Sequence, residues 1–148
     1  MRVAVGSDHA GLPLKEAVVN WLVERGMDVH DVGTFDPEPV DYPDYAFKVA
    51  QSVAAGEAVY GLLFCGTGLG MAIAANKVAG VRAVTCHDLS SVYLARRHND
   101  ANVLTMGGRQ MAPELAADLV NAFIGTEFEG GRHLQRLEKI SAAEHNHA

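Results

Sequence analysis

The 148-residue sequence predicts a three-layer α/β sandwich: about five parallel, doubly wound strands with a C-terminal helical arm. Three observations point there. Short apolar, β-branched runs alternate with longer amphipathic stretches, as βαβ units with right-handed crossovers require. The run Val59 to Phe64 is apolar without alternation, the mark of a strand covered on both faces. Turn residues cluster where the strands end, at Ser7 to Gly11 and at Cys65 to Gly70. The length suits a single domain, 1–148, and no repeat, low-complexity tract or linker divides it.

Taken in order, Arg2 to Gly6 forms the first strand. A helix follows, with apolar Leu14, Ala17, Val18, Trp21 and Leu22 at helical spacing and Gly26 closing it. Met27 to Val32 is the second strand, and Gly33 to Asp44 a loop rich in Pro and Asp. Tyr45 to Ala55 is helical, Val59 to Phe64 is the third strand, and Leu69 to Asn76 is a short helix after the glycine loop. Val81 to Thr85 is the fourth strand and Ser90 to Arg97 a helix with two basic residues in its last turn. Asn102 to Met106 is the fifth strand, and Pro113 to Ile124 a helix with proline near its start, where the missing N–H is not needed. Residues 127–148 exceed this unit. There Gly130-Gly131-Arg132-His133 leads into a helix bearing Leu134, Leu137 and Ile140. That apolar stripe needs cover, from its own body or from a partner subunit.

Ala58 to Ala75 is free of charge and imitates a membrane span. Its four glycines would cost a helix about 1 kcal/mol each against alanine, so strand, loop and helix are expected instead. With 49% apolar and 20% charged residues the composition is globular. A net charge of −6 argues against a nucleic-acid surface but leaves room for a local anion pocket. The two cysteines, Cys65 and Cys86, indicate a reducing compartment. No apolar leader is read at the N-terminus, so a cytoplasmic protein without membrane association is expected. His9, His30, His87, His98 and His133 are scattered and His145 and His147 lie on the tail; no metal is expected.

Strand ends supply the chemistry. In Cys65-Gly66-Thr67-Gly68-Leu69-Gly70, glycines let successive N–H groups face one cavity and hold an anion or oxyanion. The thiol is either a base or nucleophile, or a buried structural cysteine beside a packing turn. Phosphatase chemistry is excluded because Met71 stands where an arginine would be needed, and Lys77 comes too late for a nucleotide-binding lysine. Asp8 and His9 belong to the same sheet edge, either as ligand contacts or as a turn with Asp8 as helix cap. His98, Asn99 and Asp100 follow the fourth helix. Arg132 and Arg136, four apart, share one helix face and make a concentrated positive point suited to phosphate, or a solvated face. Arg109, past the fifth strand, is a further candidate for that phosphate.

Six segments in register resemble type B ribose-5-phosphate isomerases. They are Gly6-Ser7-Asp8-His9-Ala10-Gly11, Asp41-Tyr42-Pro43-Asp44, Cys65 to Met71, Ala74-Ala75-Asn76-Lys77, Arg97 to Asn102, and Gly130-Gly131-Arg132-His133. The resemblance spans Val3 to about Ile140 and implies a Rossmann- or flavodoxin-like sheet and a metal-free aldose–ketose isomerase acting on a sugar phosphate through a cis-enediol. It implies Cys65 as the base, Thr67 assisting it, and His98 opening the furanose ring. The amides of Gly66, Gly68, Leu69 and Gly70 would hold the enediolate oxygen. Asp8, Tyr42 and Asn99 would contact hydroxyls, and His9, Arg109, Arg132 and Arg136 the phosphate. It also implies no cofactor, and a homodimer, or a dimer of such dimers, in which the arm completes the partner's site. Met71 stands where family members without the cysteine carry a glutamate. Leu69 replaces the more usual Ile or Asn, and Pro13 is unusual so early in its helix.

The same scaffold could serve a flavodoxin-like module that binds a phosphate ligand without catalysis. That reading expects aromatic or acidic groups beside the glycine loop, and the sequence has none there. Galactose-6-phosphate and allose-6-phosphate isomerases share the scaffold as well. Because this chain carries every expected group, the pentose phosphate is favoured.

Overall fold

The computed structural model describes residues 1–146; His147, read above as part of the tail, lies outside them. The elements are β1 (Arg2–Ser7), α1 (Leu12–Glu24), β2 (Asp28–Asp31), α2 (Tyr42–Ala54), β3 (Tyr60–Cys65) and α3 (Leu69–Ala75). Then come β4 (Ala83–Thr85), α4 (Leu89–Asn99), β5 (Val103–Gly107), α5 (Pro113–Gly125), a 3-10 turn (Gly131–His133) and α6 (Leu134–His145). All strand pairs are parallel, in the order β2-β1-β3-β5-β4. This is the doubly wound, flavodoxin-like sandwich that the alternation predicts.

Period-two alternation divides the core. Val3, Val5, Leu62, Phe64, Leu104 and Met106 face α1, α4 and α5, whereas Ala4, Leu63, Cys65 and Val103 face α2 and α3. Most of these side chains are fully buried, and at roughly 1.5–3 kcal/mol for each large one their burial dominates the stability of the central strands. Tyr60 meets Phe123 edge to face at 5.2 Å, seating α5 on β3.

Element boundaries move for local reasons. α2 starts at Tyr42, three residues before the expected Tyr45, because Pro43 fits a first turn whose N–H groups need no helical partner. β2 and β4, the two edge strands, are shorter than read. α4 runs on to Asn99, so His98 and Asn99 lie in its last turn rather than beyond it. Asp88 caps its start, its carboxylate accepting from the Ser91 N–H at 2.7 Å. Asp8 accepts from the Gly11 N–H at 2.9 Å and so holds the turn before α1 without being the capping residue of the helix. Ala58 to Ala75 resolves into strand, loop and a seven-residue helix. Among the described residues no helix is long and apolar enough to cross a membrane.

Two buried cations tie the connections down. Lys15 lies on the inner stripe of α1 with Val18 and Leu22, and its ammonium donates to Asp31 Oδ1 at 2.8 Å and to the Thr34 carbonyl. Arg96 donates from Nε to the Thr126 carbonyl at 3.0 Å. Its Nη1 donates to Asp100 Oδ1 at 2.8 Å and to the Ala101 carbonyl at 2.7 Å. It thereby locks the end of α4, two residues before His98, to the start of β5 and the end of α5. Both charges are paired and hydrogen-bonded, the condition under which burial is tolerated.

Candidate active site

After β1 the chain turns to one sheet edge, and β3 enters on the other side, so a crevice opens beyond the carboxyl ends of these adjacent strands. A cleft of about 320 Å³ occupies it, lined by Asp8, His9, Tyr42, Cys65, Thr67 and Arg109 together with small residues, Gly66 and Gly70 among them. The loops after β1 and β3 therefore meet at one edge, as the sequence implies, and the loop after β5 supplies a third wall.

The thiol loop is held from both sides. Gly108 N–H donates to the Cys65 carbonyl at 2.7 Å and Arg109 N–H to the Gly66 carbonyl at 3.1 Å, which places the Arg109 side chain over the cleft. Gly68 adopts φ +81, a left-handed conformation that favours glycine. Its carbonyl accepts the Thr105 hydroxyl at 2.7 Å, and Thr105 in turn can receive the Thr85 hydroxyl at 2.7 Å. With its carbonyl anchored, Gly68 turns its N–H onto Cys65 Sγ at 3.1 Å. A sulfur carrying negative charge accepts such a bond more strongly than a neutral one. The Leu69 N–H donates to Thr67 Oγ1 at 3.2 Å, fixing the hydroxyl of a residue that lines the cleft with Cys65. The Leu69 side chain points to solvent.

Opposite the thiol, Val40 N–H donates to His9 Nδ1 at 3.1 Å. Nδ1 is thus an acceptor and neutral His9 carries its proton on Nε2, a donor for an anion. Lys15 serves this arrangement from beneath, because Asp31 and Thr34 begin the loop that delivers Val40. Its role escaped the sequence reading, although its place in the 15, 18, 22 stripe was a usable signal. Cys86 is buried elsewhere, at the end of β4, where burial and then the nearby Asp88 carboxylate push its thiol up to about 11. Such a thiol stays protonated and inert.

Four expected site residues stand apart from the cleft in this chain: His98, Asn99, Arg132 and Arg136. Strands and returning helices run antiparallel, so α4 leaves the Cys65 edge and delivers His98 to the opposite edge, roughly 15 Å away along the helix. There Glu129 N–H donates to the Arg97 carbonyl at 3.0 Å, and the 3-10 turn folds His133 onto His98 with ring centroids 4.3 Å apart. These two histidines, scattered in sequence, are neighbours in space. Arg132 and Arg136 project to solvent, while Leu137 is buried against the chain's own body.

A model of the ribose/galactose isomerase family matches residues 3–140. The chain is 52% identical over 143 residues to the ribose-5-phosphate isomerase B of Escherichia coli, covering 97% of this chain and 96% of that protein. It is 42% identical over 147 residues to a D-erythrulose-4-phosphate isomerase of Pectobacterium atrosepticum, covering 98% and 96%. The structure of Clostridium thermocellum ribose-5-phosphate isomerase B superposes over the whole of both chains with a TM-score of 0.98 at 45% identity. A match this complete covers the glycine loop, the cleft and the arm alike, and the chain belongs to the ribose/galactose isomerase family of enzymes.

Proposed function

We propose that the protein interconverts ribose 5-phosphate and ribulose 5-phosphate through a cis-enediolate, without metal or cofactor, in sites shared between two copies of the chain. The observation that carries this is the Cys65 thiol at the head of the cleft with the Gly68 N–H on its sulfur. In the aldose-to-ketose direction the anomeric hydroxyl gives up its proton to solvent while His98 protonates the ring oxygen, so that the bond from C1 to the ring oxygen breaks and the furanose opens to the aldehyde. The Cys65 thiolate removes the proton from C2, leaving the charge on O1 of the enediolate. The backbone amides of Gly66 to Gly70 stabilise that charge, Thr67 assists proton movement at the oxygens, and the thiol returns its proton to C1. Asp8, Tyr42 and Asn99 hold the hydroxyls, and His9, Arg109, Arg132 and Arg136 the phosphate.

Two features support a shared site. His98 and the arginine arm lie at the edge opposite Cys65 in their own chain, beyond the reach of one small substrate. Beside them an apolar groove of about 770 Å³ between β4 and α6 is lined by Val81, Val84, Leu137 and Ile140, with Ile140 half exposed. A second copy of the chain is the cover we assign to it. The deciding experiment is a coupled isomerase assay on ribose 5-phosphate with wild type and Cys65→Ala. Wild type is expected to turn over, and the variant to lose about 10²–10⁴-fold with unchanged circular dichroism. A fully active variant would overturn the role of the thiol. The Pectobacterium relative makes a four-carbon sugar phosphate the second substrate to assay, beside galactose 6-phosphate and allose 6-phosphate.

A further inference from the structure

Among the described residues, His98, Glu129 and His133 form one group whose ligand atoms all lie within 4.8 Å of one another. We propose that they bind a divalent transition-metal ion of the zinc class, and that its binding arrests the enzyme by withdrawing His98.

The donor set suits such an ion: two imidazoles and one carboxylate, three ligands with a fourth position left for water. His133 makes the case for a built site. Its side chain is 93% buried, yet its Nε2 has no hydrogen-bond partner and lies 3.6 Å from Glu129 Oε2. Zinc–ligand bonds of 2.0–2.1 Å at the tetrahedral angle set two ligands about 3.3 Å apart, so this pair is nearly in place. The backbone holds it there. Glu129 is bonded to Arg97, and Gly130 and Gly131 take φ values of +67 and +56 to turn the chain back onto α4.

His98 supplies the moving part. Its ring lies nearly parallel to that of His133, 16° from coplanar, and parallel rings direct their lone pairs side by side rather than at one point. Being only half-buried, His98 can rotate out of the stack and turn a nitrogen toward the ion. Coordination needs that nitrogen unprotonated, so any proton on it goes to solvent, and a metal-bound nitrogen cannot protonate a ring oxygen. Arrest of turnover rests on the ring-opening role proposed for His98, whereas the metal site itself does not.

Equilibrium dialysis of the chelator-stripped dimer against zinc, beside the isomerase assay, separates the two. One zinc per chain is expected in wild type and in Cys65→Ala, and ribose 5-phosphate turnover by wild type should fall as the ion binds. Glu129→Gln changes one half-exposed side chain without altering its size; it should keep basal activity but need at least about tenfold more zinc, both for binding and for inhibition. His133→Gln should weaken binding likewise. Cobalt should bind in place of zinc without a thiolate-to-cobalt charge-transfer band. Binding that survives both ligand substitutions, or that disappears with Cys65, would overturn the site. Binding at the site with turnover undiminished would overturn the arrest and leave the metal site standing.

Discussion

Mixing two disabled variants tests whether Cys65 of one chain works with His98 of another. Within one chain these residues lie at opposite edges of the sheet, separated by the length of α4. If sites form across a dimer, Cys65→Ala and His98→Asn homodimers each carry a lesion in both sites. Co-refolding equal amounts gives mixed dimers in about half the population by random pairing. In a mixed dimer one site takes Cys65 from the His98→Asn chain and His98 from the Cys65→Ala chain, and is whole. The other site takes both lesions. One intact site in every four means about a quarter of wild-type activity, against a Cys65→Ala parent reduced about 10²–10⁴-fold. Initial rates on ribose 5-phosphate, with native mass spectrometry confirming the mixed species, provide the assay. Mixed dimers with no more activity than the average of their parents would refute the shared site.

Arg136→Ala should raise KM for ribose 5-phosphate strongly, with some loss of kcat, and barely change turnover of an unphosphorylated aldose, because remote binding energy positions the reacting carbon. Equal damage to both substrates would make Arg136 structural. At Gly107 an added Cβ would fall 2.8–2.9 Å from the Thr67 backbone, so Gly107→Ala must displace the thiol loop. Its kcat should fall on the order of 10²-fold while the circular dichroism spectrum persists; unchanged kcat would show that the loop adapts freely. Cys86 offers a pH test. Its folded-state thiol titrates at about 11 against an ordinary 9.0, so between these values the unfolded chain has lost its proton while the folded one retains it. The folded state then binds more protons and stability falls as pH rises through that window. Cys86→Ser should flatten this slope in denaturant titrations and leave activity unchanged; a slope identical to wild type would refute it.

Much of this was legible in the sequence because its signals are local. Val59 to Phe64 reads as a buried strand from composition alone, and Cys65 to Gly70 as a tight loop between strand and helix because glycines cluster there. Edge strands are shorter than their sequence suggests, since their ends depend on whether a neighbour is present to pair with. The start of α2 is ambiguous in the sequence because a proline can open a helix as readily as prevent one. Arg96 gives no hint of burial, for its partners Thr126 and Asp100 are assembled by packing between α4 and α5. Periodicity by itself determined the strand–helix order, the parallel sheet and the edge that carries Asp8, His9 and Cys65, since a residue's face and its place in an element follow from neighbours a few positions away. Only the tertiary structure decided that His98 lies across the sheet from Cys65 and against His133. Which distant segments converge depends on strand order and on the path of the arm, and no local repeat encodes either.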